Sequence, residues 1–169
     1  MFDACVLGVD PGVARMGLAC VVVTGRVTQL MWATTVTTPA SMDEAERLGL
    51  LAAAVRRAIE QHGPTAVAVE RVAFNRNTVS ALQVARATGA IMAVAAEAGV
   101  PVEEYAPTEV KSAVTGSGAA DKDQVRQALV RIHGLKDVPT QPDAADAVAV
   151  ALTHLTGARL RALSGPGAR

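Results

Sequence analysis

The sequence predicts an α/β domain built on a mixed five-stranded sheet with helices on both faces. The first part of the chain contains three short apolar strands joined by turn signals, which is typical of an antiparallel meander. Beyond it, short apolar runs alternate with segments of helical periodicity, which indicates crossover connections between parallel strands. Only 2% of the 169 residues are aromatic, so small alanine and valine side chains must pack the helices against the sheet.

The meander begins with a strand over residues 4–9, which the turn Asp10-Pro11-Gly12 joins to a strand over residues 17–24. The sequence "TGR" at residues 24–26 favours a second tight turn. It leads into a third strand over residues 27–37, which is rich in threonine and valine. These three strands are therefore expected to be antiparallel neighbours.

A helix follows, with Ser41 predicted as its N-cap because Glu44 stands three residues later in capping-box spacing. Its apolar positions recur at helical spacing, and it should stop before Gly63-Pro64. The later elements are predicted in this order: a strand over 65–70, a helix over 77–98, a strand over 100–105, a short helix over 107–114, a helix over 121–132 and a last helix over 143–156. Residues 157–169 have little to bury and are predicted to be a disordered basic tail, which leaves residues 1–156 as one domain.

The composition narrows the function classes. The formal net charge is zero, which argues against a general nucleic-acid binder with a strongly basic surface, although a clustered acidic site could cancel a basic face. No apolar run approaches the roughly 20 residues of a membrane span, and no export signal is visible. Cys5 and Cys20 are predicted to be reduced thiols on adjacent strands. We therefore expect a cytoplasmic protein that does not bind a membrane.

Two acids stand at the ends of predicted strands. Asp10 follows the first strand, and Glu70 ends the strand "TAVAVE". If these strands are parallel neighbours, both carboxylates emerge at the sheet edge where open α/β sheets bind ligands. Burying adjacent carboxylates is costly unless a cation neutralises them. Taken alone, an acid before Pro-Gly such as Asp10 is more often a turn residue than a ligand.

Two more acids begin the last helix, in "PDAADAVAVALTHL". Asp143 and Asp146 are three residues apart and therefore share a helix face. They could simply complement the helix dipole, which is worth a few tenths to about 1 kcal/mol. The rest of the helix is apolar nearly all round, so it should pack on the sheet and bring both acids to the same edge.

Together, the four acids favour a metal site. Carboxylates without a Cys/His cluster are hard oxygen ligands that suit Mg²⁺, with Mn²⁺ as an alternative. Two such ions about 3.5–4 Å apart can activate a water and stabilise the leaving oxygen of a phosphodiester. We expect Asp10 and Asp146 to hold one or both ions, with Glu70 and Asp143 completing the site.

The motifs "GVDPGVARMG", "VAVERV", "PTEVKSAVTGSGAADKDQV" and "PDAADAVAVALTH" resemble, in order and spacing, those of the RuvC Holliday-junction resolvases. The resemblance covers about residues 5–156. It implies a ribonuclease H-like fold and a homodimeric, Mg²⁺-dependent endonuclease that nicks opposing strands of four-way junction DNA in recombination and repair. It places the family's catalytic carboxylates on Asp10, Glu70, Asp143 and Asp146. A branch-migration helicase complex is implied as a partner.

The same resemblance places the family's two lysines near the cleaved strand on Lys111 and Lys122. The loop "TGSGAADK" lacks the third glycine and the preceding strand of a dinucleotide fingerprint. We therefore expect this loop and the helix after it to approach a phosphate backbone. For either lysine, the alternative is an ordinary solvated surface charge.

The segment "ERVAFNRNT" departs from the family pattern, because Ala73 occupies the usual aromatic position and Phe74 follows it. Phe74 is predicted to stack on a base, an interaction worth about 1–3 kcal/mol, with a core or dimer-interface role as the alternative. Arg76 is predicted to contact DNA and Arg71 could contact phosphates, although surface-charge or helix-cap roles are equally ordinary for both. This departure concerns the nucleotide preference at the cleavage site and not the chemistry of cleavage.

The helix over residues 77–98 has small residues on faces that should be exposed, namely Ala85, Ala87, Ala90, Ala93 and Ala96. A dimer through this helix, as in the family, explains them better than burial within one chain. His154 is interpreted as an ordinary polar helix position, although it could lie near the metal ions. The rival functions are a related nuclease for structured RNA, a non-catalytic junction-binding scaffold, and an actin-like phosphate-binding fold, for which the chain is short.

Overall fold

The computed structural model describes residues 3–71 and 78–163. Five strands and five helices occur in these ranges: β1 (Asp3–Asp10), β2 (Arg15–Thr24), β3 (Val27–Thr37), α1 (Glu44–His62), β4 (Ala66–Glu70), α2 (Thr78–Glu97), β5 (Val102–Tyr105), α3 (Pro107–Thr115), α4 (Lys122–Arg131) and α5 (Pro142–Leu163). The predicted mixed five-stranded sheet is confirmed. Its strand order is β3-β2-β1-β4-β5.

The order and direction of the strands determine where each one ends. β1 pairs antiparallel with β2, and β2 with β3, so the meander is as predicted. β4 lies on the other side of β1 and is parallel to it, with Val9 opposite Val69. β5 in turn is parallel to β4 and pairs Tyr105 with Glu70. Asp10 and Glu70 therefore follow paired residues and emerge side by side at one edge.

Two apolar layers cover the sheet, because alternate residues of each strand point to opposite faces. On one face Val6, Ala19 and Val21 pack with the small residues of α5 and with α3 and α4. On the other face Leu7, Val9 and Leu18 pack against α1 and α2. The predicted placement of helices on both faces is thus confirmed.

Glycines in two strands allow α5 to approach the sheet closely. A Cβ atom at Gly17 would lie 1.8 Å from the carbonyl oxygen of Asp143, and one at Gly8 would lie 2.0 Å from that of Ala147. Both neighbours are backbone atoms, which cannot rotate away. The first turn of α5 therefore lies against the ends of β1 and β2, and this position is possible only because neither glycine has a side chain.

The N-terminus of α1 differs from the prediction. Asp43, not Ser41, is the N-cap, and its carboxylate accepts a hydrogen bond from the Glu46 N–H at 2.9 Å. The Met42 N–H donates to the Pro39 carbonyl at 3.2 Å and closes a turn over residues 39–42. Because this turn holds Ser41 outside the helix, the chain enters α1 two residues later than the capping-box spacing suggested.

The end of α5 also differs from the prediction. The helix continues to Leu163, so residues 157–163, which we predicted to belong to a disordered tail, are helical. Apolar residues such as Leu155, which is buried, still pack on the sheet near the expected end. A helix already held along most of its length gains one backbone hydrogen bond for each added residue, so it can extend past its last packed turn.

Helix α2 combines length with an apolar composition. In the ranges described above it is the one helix, over Val79–Glu97, that is long and apolar enough to cross a membrane, and one-third of that stretch is buried. Ala87, predicted to lie on an exposed face, is buried against the sheet, whereas Leu82, Gly89 and Met92 are exposed. The cysteines are free thiols on neighbouring strands, as predicted.

Replacing Gly17 with alanine is expected to move the first turn of α5 away from β2. The new methyl group meets backbone atoms of Asp143, so the substitution should destabilise the protein by about 1–3 kcal/mol and weaken divalent-ion binding. Thermal and urea unfolding, with calorimetric titration of Mn²⁺, provide the two measurements.

The matched control is Gly49→Ala in α1, where a Cβ atom meets nothing within 4 Å. This substitution should stabilise the protein by roughly 0.5–1 kcal/mol, because alanine is the better helix residue. If both variants behave alike, then close packing at Gly17 does not position α5.

Candidate active site

The carboxyl edge of the sheet holds two strand-end acids. Asp10 is the last residue of β1 and Glu70 is the last residue of β4. The strands are parallel and adjacent, so both side chains leave the sheet in the same direction. Both residues are partly buried. The local sequence explains this placement, since each acid ends a run of apolar residues that forms the core of the sheet.

The first turn of α5 supplies the other two acids. Pro142 opens the helix, Asp143 follows it, and Asp146 is one turn further along. Their carboxylates are 24% and 25% exposed, so each retains some access to water. Close packing of α5 on Gly17 holds this turn over the strand ends.

The titration of Asp10 reflects the convergence of all four acids. Burial raises the pKa of Asp10 from 3.8 to about 8, and repulsion from Glu70, Asp146 and Asp143 acts in the same direction. Asp10 is also hydrogen-bonded to Glu70. The structure therefore brings together the four acids that the sequence predicted, and without a cation it favours a protonated Asp10.

The pKa of Glu70 is raised by similar causes, but neighbouring groups oppose the rise. Burial, followed by repulsion from Asp146, raises the pKa of Glu70. The hydrogen bond to Asp10 and the positive charges of Lys122 and Lys111 oppose this rise. Both predicted lysines therefore lie close enough to act on the acids, and an uncompensated pair of carboxylates is avoided.

Each α5 acid is paired with a cation. Lys122 Nζ donates to Asp146 Oδ2 at 2.7 Å, and this hydrogen bond is the main reason why the pKa of Lys122 is raised. On the other side, Arg15 donates from Nε at 2.8 Å and from Nη2 at 2.7 Å to Asp143 Oδ2. Arg15 was not among the predicted site residues. Its position five residues after Asp10, at the start of β2, was the available signal.

The α3–α4 connection positions Lys122. Gly116 ends α3 in a left-handed conformation, with φ of 81°, and Asp121 caps α4 by accepting from the Gln124 N–H at 2.8 Å. Lys122 is consequently the first residue of α4. As predicted, the loop leads directly into a helix, and the first residue of this helix contacts Asp146.

A cleft of about 220 Å³ connects these groups. It is lined by Glu70, Lys111, Lys122 and Asp146 together with the apolar residues Pro107, Val110, Val125 and Ala149. Carboxylates and lysines thus share one small opening between α3, α4 and α5. A larger cleft of about 520 Å³ lies along α4 near Ser117 and Arg131, and none of the four acids lines it.

The remaining predicted site residues fall into three cases. Phe74 and Arg76 lie outside the described residues. Arg71 is exposed, and its Nη2 donates to the Glu104 carbonyl at 3.4 Å, so it lies across β5. His154 Nδ1 lies 2.9 Å from the Tyr105 hydroxyl, which also donates to Glu103 at 2.7 Å. This contact agrees with the interpretation of His154 as a polar helix position.

The donor set fits hard divalent cations. The four carboxylates are hard oxygen donors, and burial, followed by repulsion between them, raises the pKa of the two strand-end acids. Within residues 3–71 and 78–163, however, no three His, Cys, Asp or Glu side chains already converge as a ready-made ligand set. The contacts of Asp143 with Arg15 and of Asp146 with Lys122 account for this, because each cation holds one carboxylate oxygen.

Sequence comparison relates this chain to known proteins. A family model described as crossover junction endodeoxyribonuclease RuvC matches residues 6–154. The RuvC of Roseiflexus sp. (strain RS-1) is 44% identical over 148 residues, 88% of each chain. That of Nocardia farcinica (strain IFM 10152) is 46% identical over 158 residues, 93% of this chain and 84% of the relative. The motif resemblance is therefore confirmed.

Solved structures agree with these sequence comparisons. Thermus thermophilus RuvC in complex with Holliday junction substrate matches with a TM-score of 0.86 and 40% identity, covering 93% of this chain and 96% of that one. The predicted ribonuclease H-like fold is thereby confirmed.

Without divalent ions, the protein is expected to lose thermal stability as the pH rises from about 4 to about 8. The pKa of Asp10 is higher in the folded state, so in this window the folded protein keeps a proton that the unfolded chain has released. Asp10→Asn cannot ionise and should show a flatter dependence. Differential scanning calorimetry in EDTA, between about pH 5 and pH 8, measures the two slopes.

Asp137→Asn provides the control for this measurement. Asp137 is exposed and has a φ of 57°, a conformation that asparagine tolerates, so this variant should keep the wild-type slope. Parallel curves for the wild type and Asp10→Asn would show that Asp10 does not hold a proton in the folded protein.

Proposed function

The chain belongs to the RuvC family of crossover junction endodeoxyribonucleases, and on that basis we propose that it resolves four-way DNA junctions. It does so by paired symmetric nicks during recombination and DNA repair, in the cytoplasm. The observation that carries this proposal is the convergence of four carboxylates beside two lysines at one sheet edge. The Thermus thermophilus relative, of matching fold, was solved with a Holliday junction substrate, which supports junction DNA as the substrate here.

RuvC-family nucleases are metal-dependent. For this chain we assign Mg²⁺, or Mn²⁺ in its place, with two ions held by Asp10, Glu70, Asp143 and Asp146. When bound, such ions supply the positive charge that favours attack of water on the phosphodiester and departure of the leaving oxygen. Asp10 releases its proton when it takes up this role, so ion binding is favoured as the pH approaches 8.

The lysines bring positive charge to the side of the site that the nicked strand approaches. Lys111 and Lys122 line the same cleft as Glu70 and Asp146, and their stems border apolar walls. A phosphate in this cleft would meet two cations at the point where the acids alone would repel it. We assign Lys111 and Lys122 to binding of the nicked strand, and we keep Phe74 as its stacking residue and Arg76 as a further DNA contact.

We further propose that the active species is a homodimer formed through α2. Several exposed residues of this helix recur at helical spacing and are apolar or small, with Val79 at 68%, Leu82 at 52% and Met92 at 40% exposure beside Gly89 and Ala96. Arg86, which is exposed between them, pairs with Glu44 of α1. A two-fold axis at this stripe would give the dimer two active sites, one for each of the two opposing strands of a junction. A branch-migration helicase complex remains a proposed partner that rests on the family alone.

Nicking of a synthetic four-way junction, with each strand labelled in turn, tests the proposed function. With Mg²⁺ the wild type should make paired nicks at symmetric positions on opposing strands, and EDTA should abolish them. Asp10→Asn should still bind the junction but lose nicking by about a hundredfold or more, since even the partners of metal ligands contribute up to about that factor. Asp137→Asn, the same chemical change at an exposed loop, should cut normally.

The outcomes separate the competing functions. Equal cutting by the wild type and Asp10→Asn would remove the assigned chemistry. Tight junction binding without cutting by the wild type would favour a scaffold. A nick on one strand only would contradict the dimer, and cleavage of structured RNA in preference to the junction would reassign the substrate.

A further inference from the structure

Arg15 contacts Asp143, whereas Lys122 contacts the other acid of α5, Asp146. Arg15 Nε and Nη2 both donate to Asp143 Oδ2, at 2.8 Å and 2.7 Å. The arginine side chain is 53% exposed, whereas the Asp143 carboxylate is 24% exposed. The guanidinium therefore closes one side of the site and still reaches solvent.

The backbone beneath Arg15 is held firmly. The Thr38 hydroxyl, which is buried, donates to the Val13 carbonyl at 2.6 Å, and the Thr38 N–H donates to the Ala14 carbonyl at 3.1 Å. Arg47 Nε in turn donates to the Thr38 hydroxyl at 2.8 Å. This network fixes the turn between Asp10 and β2, so that Arg15 is held at the site while its side chain can still change partners.

Arg15 and a divalent ion would compete for the same carboxylate. Asp143 Oδ2 already accepts two N–H donors, and Lys122 occupies Asp146 Oδ2 in the corresponding way. Ligation of an ion through these two oxygens requires Arg15 and Lys122 to release them. The half-exposed guanidinium of Arg15 then no longer contacts the Asp143 carboxylate, and its five N–H donors are free for another acceptor. Because the guanidinium is planar, it can donate two parallel hydrogen bonds to a phosphate as well as to a carboxylate.

We propose that Arg15 pairs with Asp143 while the site lacks divalent ions and contacts a phosphate of the junction DNA once they are bound. This inference rests on the proposed function. Arg15 then acts as a positioning residue: it keeps the acidic turn of α5 neutralised before ion binding and becomes part of the DNA surface afterwards. Because Arg15 would exchange Asp143 for a DNA phosphate, binding of divalent ions would increase the affinity of the site for the DNA strand.

The test uses two variants: Arg15→Gln removes the positive charge, and Arg15→Lys keeps the charge but lacks the planar guanidinium group. Calorimetric titration of Mn²⁺ without DNA should give roughly two- to fivefold tighter binding to Arg15→Gln, because an exposed ion pair no longer has to be broken. Junction binding, measured by fluorescence anisotropy with Ca²⁺ in place of Mg²⁺, should be weaker. The salt dependence of that binding should fall by roughly one phosphate contact. Arg15→Lys should restore most of the salt dependence.

Arg26→Gln is the matched control. Arg26 lies in the turn between β2 and β3, at the other end of the sheet, and should change neither measurement. Unchanged or weaker Mn²⁺ binding by Arg15→Gln would overturn the competition with metal, and an unchanged salt dependence would overturn the phosphate contact. Failure of the proposed function is distinguishable, because the wild type would then neither bind nor nick junctions while the Mn²⁺ titration would still report on Asp143.

Discussion

The rest of this structure depends on one constraint: four acidic side chains lie together at one partly buried edge of the sheet. Asp10 and Glu70 follow adjacent parallel strands, and α5 adds two more acids to the same place. Burial and mutual repulsion raise the pKa of both strand-end acids, so the folded chain tolerates the cluster only with protons or cations present. Lys122, Arg15 and a shared proton meet that demand here, and divalent ions would meet it during nicking.

The fold creates this edge by simple means. The crossover through α1 makes β4 parallel to β1, and the absence of side chains at Gly8 and Gly17 allows α5 to lie on the sheet. Alanine is the most frequent residue of α5, so most of its buried length packs closely through small side chains. Close packing in the core therefore determines where the two partly exposed acids of α5 lie.

The sequence predicted the strands and the meeting of the four acids at one sheet edge, because both follow from local rules. Apolar runs that end in an acid place that acid at a strand end, and a three-residue spacing places two acids on one helix face. The helix caps were harder to predict. Ser41 had the right spacing from Glu44, but the local turn that the Met42 N–H closes on the Pro39 carbonyl keeps it outside α1, and helical periodicity does not reveal such a turn.

Other parts of the site depend on contacts between distant segments. Arg15 and Asp143 are 128 residues apart in sequence, and no local pattern relates them. The extension of α5 to Leu163 reflects support from a helix already packed on the sheet rather than the polar composition of its end. In each case the missing information was tertiary: which surface lies opposite a given residue.

The most direct test of the central claim is an anomalous-diffraction experiment on crystals of the protein soaked in Mn²⁺. The account predicts two peaks about 3.5–4 Å apart, bounded by Asp10, Glu70, Asp143 and Asp146, with the last two carboxylates turned inward. Manganese bound elsewhere on the molecule, with these four side chains directed to separate surfaces, would contradict it.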